Sequence, residues 1–366
     1  MKLKYPVYKP ILSGNEKKYV NQCLDSTWIS SKGKFINEFE NKFSEFLGIK
    51  YSASVSNGTV AIHVALLALG IGPGDEVIVP TFTYVASVNA IHYTGAKPVF
   101  VDSTHETWQI DPTDVKRKIT SQTKAILAVH LYGHPCDMDK LTKICSDHNI
   151  FLVEDTAESF GTKYNRKFAG SFGNISTFSF FGNKTITTGE GGMVSTNNKE
   201  LYNNVIHLKG QGLAAGKEYY HDIIGYNYRM TNICAAIGCA QLERADEIIS
   251  KKRLIAEWYK ESLIDLPLKL HQEGENILHT FWMITIMVNN VKHRDTLRKY
   301  LKKNGVETRP VFYPVNKMPM YNNSQLQFPV AENLSKRGIN LPSYPDLNMN
   351  DVKFISEQIK SYFKNA

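Results

Sequence analysis

Lys184 follows an apolar, strand-like run, Thr177-Phe178-Ser179-Phe180-Phe181-Gly182-Asn183, and precedes a glycine-rich turn, Thr187-Thr188-Gly189-Glu190-Gly191-Gly192. An amine at the end of a sheet strand, partly stripped of water, gives up its proton more readily and becomes a nucleophile toward carbonyl carbon. A lysine so placed is the usual anchor of pyridoxal phosphate (PLP), held as a Schiff base. A lysine that merely caps a loop has the same local sequence, so the other parts of a PLP site must be found elsewhere in the chain.

Three stretches offer those parts. Ser56-Asn57-Gly58-Thr59 stands directly before a run of small and apolar residues with helical character. A helix N-terminus carries free N–H groups and partial positive charge, Gly58 lets the backbone approach a ligand, and the Thr59 hydroxyl can donate a hydrogen bond. Ordinary capping by Ser56 or Asn57 is the plainer role. Asp155 ends the apolar run 150–154, where α/β sheets bind ligands. A PLP ring works best with an acid at its pyridine nitrogen, because the protonated ring is the better electron sink. Glu158, three residues on, is placed to reach the polar edge of such a ring, whereas Asp155 could also serve only as a helix cap. Thr81-Phe82-Thr83-Tyr84 follows another strand-like segment and brings an aromatic ring that could stack on a flat cofactor or pack in the core.

The elements that would position these groups alternate between strand and helix. Strand-like runs from 51 and at 76–80, 98–102, 125–131, 150–153, 176–181 and 193–196 are separated by helical patterns at 60–69, 86–93 and 138–148. Near-continuous apolar strands in this alternation predict an α/β fold with a mainly parallel, seven-stranded sheet covered on both faces. Before it, Phe35, Phe39, Phe43, Phe46 and Leu47 fall on one helical face that Gly48 ends. Residues 238–260 read as one long helix bridging to a smaller α+β lobe, with a strand at 281–288 and helices near 293–303 and 351–363. The expected organisation is a large PLP-binding domain at 1–245, including a lead-in at 1–50, and a small C-terminal domain at 246–366.

Composition narrows the class. The chain has 366 residues, 42% hydrophobic, enough for two lobes with sizeable cores. The net charge of +8 is scattered, with no run of five like charges; it fits a solvated basic surface or an anionic small substrate, and no nucleic-acid motif accompanies it. Cys23, Cys136, Cys145, Cys234 and Cys239 are odd in number and form no CxxC, which predicts reduced thiols in a cytoplasmic protein. No apolar stretch approaches the ~18 residues of a membrane span, and the N-terminus lacks a signal-peptide pattern. His130, His134 and Cys136 are close in sequence, but Gly133 and Pro135 break any shared helical face, so no metal site is expected.

Taken together, the strings SNGT, PTFTYVAS, VHLYGHPCDM, LVEDTAESFGT, STFSFFGNKTITTGEGGM and GYNYRMTNICAAIG resemble the DegT/DnrJ/EryC1/StrS sugar-nucleotide aminotransferases over nearly the whole chain. The resemblance implies an aspartate-aminotransferase-like, type I PLP fold and a two-stage transamination. L-glutamate would be the donor, and the acceptor most similar relatives use is GDP-4-keto-6-deoxy-D-mannose. It implies that Lys184 carries PLP and shuttles the proton, and that Asp155 pairs with the ring nitrogen. Tyr84 would stack on the ring and Glu158 lie near its hydroxyl. Gly58, Thr59 and Ser179 would hold the phosphate, and Asn227 would reach the phosphate in a partner subunit, so a homodimer with shared active sites is implied. Arg309, Tyr313 and Asn316 would lie at the sugar end of the pocket, where relatives commonly carry histidine in place of Asn316. A dehydratase branch has histidine where Lys184 stands, so lysine argues for amination. A dTDP- or UDP-linked keto sugar, or a non-enzymatic PLP-binding regulator, is the alternative.

Overall fold

The computed structural model describes residues 3–322 and 325–365. In chain order the strands are β1 (Tyr51–Val55), β2 (Glu76–Pro80), β3 (Lys97–Val101), β4 (Thr123–Val129), β5 (Phe151–Asp155), β6 (Lys163–Tyr164), β7 (Lys167–Phe168), β8 (Ile175–Ser179), β9 (Gly192–Thr196), β10 (Leu268–Leu270), β11 (Ile277–Leu278), β12 (Ile284–Val288), β13 (Arg309–Pro310) and β14 (Gly338–Leu341). The large sheet runs β1-β9-β8-β5-β4-β2-β3. Its pairs are parallel from β3 through β2, β4 and β5 to β8, and β9 runs antiparallel to both β8 and β1. Every residue of β2 is buried, as a strand covered on both faces requires. The carboxyl ends of β2, β5 and β8 therefore open on one edge, which gathers Thr81–Tyr84, Asp155 and Ser179.

Side-chain alternation along β8 decides what faces that edge. Phe178 and Phe180 turn inward against Phe43, at ring-centroid distances of 4.8 and 5.6 Å. That places the intervening Ser179 on the opposite face. Phe43 belongs to the helix Lys34–Leu47, which buries Phe35, Phe39, Phe43 and Leu47 and ends at Gly48 in the left-handed region. Phe46, at the rim of that face, stacks on Phe160 at 4.9 Å.

The smaller lobe is an antiparallel sheet, β10-β12-β14-β13, covered by the helices Ala245–Leu263, Lys292–Lys303 and Met349–Lys364 through Tyr259, Leu297, Leu301 and Ile355. The extreme N-terminal segment joins it: Lys4 and Tyr5 N–H groups donate to Gly305 O at 2.8 and 3.0 Å, and Tyr5 is buried in that lobe's core. The single helix expected over 238–260 is two helices, Asn232–Leu242 and Ala245–Leu263. The break is fixed from outside. Glu243 accepts from Asn15 Nδ2 and Tyr19 OH at 2.8 and 2.7 Å, and Arg244 donates to Ser13 Oγ at 2.8 Å.

Candidate active site

Lys184 lies in the turn just beyond β8, its side chain 14% exposed. Burial lowers the proton affinity of the amine, while the carboxylates of Glu158 and Asp155 pull the other way. Its Nζ lies 3.8 Å from Glu158 Oε1 and 4.2 Å from the ring centroid of Trp282. The turn is held from both ends of the chain: Tyr8 OH donates to Lys184 O at 2.6 Å, and Trp282 Nε1 donates to Asn183 O at 2.7 Å. The amine is thus desolvated on an anchored turn, which favours its neutral, nucleophilic form.

Two carboxylates share the same edge. Glu154 and Asp155 alternate across β5. Glu154 fastens the following turn by accepting from the N–H groups of Gly170, Phe172 and Gly173 at 2.6–2.7 Å and pairs with His130 Nε2 at 3.1 Å. Asp155 instead accepts from Ser87 Oγ at 2.7 Å and from its own turn, at Ala157 N, at 3.1 Å. Glu158 accepts from Tyr132 N at 2.9 Å. Its burial pushes the carboxyl up to about 7, against the opposing pull of Lys184. Tyr132 adopts a left-handed backbone, φ 57°. Its ring stacks on Phe312 at 5.3 Å and on Trp282 at 6.2 Å, tying Glu158 to the wall built by the C-terminal lobe.

The helix Gly58–Ala68 starts two residues before the expected 60, and Asn57 caps it, its side chain accepting from Val60 N at 3.0 Å. The capping role is therefore real, and it leaves the amides of Gly58 and Thr59 ahead of the first intrahelical bond, Ala61 N to Asn57 O. Gly58 sits against Ser179. A Cβ at Gly58 would stand 2.7 Å from Ser179 Cβ and 3.0 Å from Ser179 Oγ. A bare helix start, an approach only glycine allows, and two half-buried hydroxyl residues, Thr59 and Ser179, suit a phosphate group. With the buried amine and Asp155 at the neighbouring strand end, the donor set fits PLP.

The remaining expected residues are more dispersed. Tyr84, at the N-cap of the helix Val85–Tyr93, is 58% exposed and lies 5.7 Å from Phe312 by ring centroids. Asn227 is exposed, on a segment bridged back to Gly210. Arg309, in edge strand β13, is exposed and 3.6 Å from Glu307, and Tyr313 is exposed. Asn316, expected to face the sugar, is fully enclosed. Its Oδ1 accepts from Thr81 Oγ1 at 2.6 Å, in the turn after β2. Ser87, Tyr8, Tyr132 and Trp282 complete the site and were not singled out from sequence. Only Ser87 carries a local signal, one helical turn after Tyr84 on the same face.

The model of the DegT/DnrJ/EryC1/StrS aminotransferase family matches residues 10–360. GDP-perosamine synthase of Escherichia coli O157:H7 is 59% identical, covering 99% of this chain and 100% of the relative. GDP-perosamine synthase of Vibrio cholerae is 53% identical, over 98% and 99%. A Streptococcus pneumoniae protein solved in PLP and PMP forms superposes with a TM-score of 0.94 at 27% identity, over 98% of each chain. The type I PLP fold expected from the resemblance is thereby established.

Proposed function

Because the chain belongs to the DegT/DnrJ/EryC1/StrS aminotransferase family and its cofactor is accordingly PLP, we propose that it moves the amino group of L-glutamate onto the C4 ketone of GDP-4-keto-6-deoxy-D-mannose, giving GDP-perosamine and 2-oxoglutarate. The observation that carries this reading is the buried, desolvated amine of Lys184 beside Glu158 and Asp155. The acceptor is inferred from the two GDP-perosamine synthases.

PLP, when bound, supplies an electron sink for charge on the carbon bearing the transferred nitrogen. The residues of this chain do the rest. Lys184 anchors the cofactor and carries the proton between carbons. Asp155 holds the proton on the ring nitrogen, and Glu158 faces the polar edge of the ring. Gly58, Thr59 and Ser179 hold the phosphate, and Tyr84 covers a ring face. Arg309 and Tyr313 supply polar contacts for the nucleotide sugar, and Asn316 shapes that end of the pocket by fixing Thr81.

The active unit in this reading is a cytoplasmic homodimer in which Asn227 completes the partner's phosphate site. The segment bearing Asn227 exposes Leu213, Tyr219, Tyr220, Ile223 and Ile224, an apolar surface suited to a second copy of the chain. No helix among the described residues is long and apolar enough to cross a membrane. The product's place is in polysaccharide assembly, O-antigen included.

The test is release of 2-oxoglutarate from glutamate with GDP-, dTDP- and UDP-linked keto sugars, for the wild type and Lys184→Ala. Turnover is expected with the GDP sugar and lost in the variant, together with the visible cofactor absorbance. A variant turning over near the wild-type rate refutes the role of Lys184. Turnover confined to a dTDP or UDP sugar refutes the acceptor.

A further inference from the structure

Asp155 is gripped by a residue from a different element. Ser87 lies in the first turn of the helix Val85–Tyr93 and is 1% exposed, and its Oγ donates to Asp155 Oδ2 at 2.7 Å. Thr83 Oγ1, fully buried, lies 3.3 Å from Ser87 Oγ. Since the Ser87 proton is directed to the carboxylate, Thr83 is the donor in that second contact. The other carboxylate oxygen, Oδ1, accepts from Ala157 N. The plane of the carboxylate is therefore fixed by one bond from its own turn and one from across the sheet edge.

We propose that Ser87 is a positioning residue for Asp155, presenting its carboxylate to the ring nitrogen of the cofactor; this rests on the PLP reading of the site. Ser87 touches neither substrate nor cofactor and acts through Asp155. Two physical points support it. A carboxylate oxygen has two lone pairs, so the bond from Ser87 leaves acceptor capacity for the ligand. A buried charge-assisted hydrogen bond also has no water to replace it, so its loss frees Asp155 to turn. Because Tyr84 precedes Ser87 by one turn, the same contact sets the rotation of the helix that carries the ring-covering tyrosine.

The experiment compares the wild type, Ser87→Ala, Ser87→Thr, Asp155→Asn and the Ser87→Ala/Asp155→Asn double variant. It reads the PLP dissociation constant by absorbance titration of the apo protein, and the pH titration of the visible absorbance of the loaded protein. Ser87→Ala is expected to loosen PLP by ~10-fold and to move the absorbance titration. Ser87→Thr, which keeps the hydroxyl, should restore both. In the Asp155→Asn background the alanine change should cost less than ~2-fold, because its target is already altered. Ser87→Cys, of similar shape with a weaker donor, replaces the alanine variant if that one fails to fold.

Wild-type affinity and titration in the hydroxyl-less variant overturn the proposal, as does an equal loss in both backgrounds, which would mark simple packing. A wild-type protein that binds no PLP overturns the site reading as well. A wild type that binds, beside an unchanged Ser87 variant, overturns this inference alone.

Discussion

Gly58→Ala separates the proposed phosphate-binding role of the helix start from the stability of that helix. Gly58 does not adopt a positive φ, so alanine meets no backbone strain. By intrinsic propensity alanine favours a helix over glycine by up to ~1 kcal/mol, so the substitution is not expected to weaken the helix. The added methyl, however, would stand 2.7 Å from Ser179 Cβ and 3.0 Å from its Oγ. Carbon pairs are comfortable at ~3.5–4.0 Å, so the helix start and the end of β8 must separate by roughly 1 Å. Displacements of that size in a positioned site cost ~100-fold. PLP affinity is therefore expected to fall ~10- to ~100-fold, while the unfolding midpoint of the apo protein moves by no more than a few degrees. Absorbance titration and thermal unfolding read the two quantities separately. Repeating the change in a Ser179→Gly background removes the side-chain carbon that the methyl strikes, and the added penalty there should shrink to less than ~3-fold. Wild-type PLP binding by Gly58→Ala, or the same penalty in both backgrounds, would refute the reasoning.

Two further expectations concern buried charges. Lys252 is 1% exposed, its Nζ donates to Ser343 O at 2.6 Å, and burial lowers its ammonium to about 7 from 10.5. Between those pH values the unfolded chain binds more protons than the folded one, so stability rises with pH across that window. Relative to Lys252→Met, wild-type unfolding free energy should climb by roughly 2 kcal/mol from pH 7 to 9; parallel pH curves in urea denaturation would contradict this. Glu158 has the opposite sign. Its folded form keeps a proton up to about 7 that the unfolded chain releases near 4.5, so stability falls as pH rises through that range. Apo Glu158→Gln should gain on the wild type by roughly 3 kcal/mol between pH 4.5 and 7, and a constant difference would argue against a perturbed carboxyl.

The strands of the large sheet were legible because burial on both faces leaves near-continuous apolar runs. β2 falls at 76–80 as expected, and β5, β8 and β9 within about two residues of expectation. Lys184 and Asp155 could be picked out because each stands at or just past the end of such a strand, where solvent or a ligand must receive it. The division at Glu243–Arg244 was hidden, since the residues on both sides are good helix formers. It is imposed by Asn15, Tyr19 and Ser13, more than 200 positions away. Tyr5 gave no sign of its place in the C-terminal lobe because one parallel bridge to Val306 has no periodicity to read. Trp282 looks like an ordinary core residue in an apolar segment, and only the fold reveals that its ring covers an amine. Asn316 was visible as an unusual residue, but not as a buried one. Its partner, Thr81 at the end of β2, lies 235 positions away in sequence.

The surroundings of the Lys184 amine are assembled from parts of the chain far apart in sequence. Sequence places Lys184 at a strand end, but a strand end alone faces water. Trp282 lies over the amine and donates to Asn183 O, and the turn is tied down by Tyr8 from near the start of the chain. The Tyr132–Gly133 turn fastens these parts together. Tyr132 N donates to Glu158, and its OH accepts from Phe312 N at 3.0 Å. Gly133 O accepts from Thr280 N at 3.2 Å, and a Cβ at Gly133 would stand 2.7 Å from Phe281 N and 2.8 Å from Trp282 N. Its positive φ of 97° adds a second reason for glycine. The carboxyl beside Lys184 and the indole over it are consequently placed by one rigid turn. Residues distant in sequence converge on one lysine, and the burial they create lowers its proton affinity.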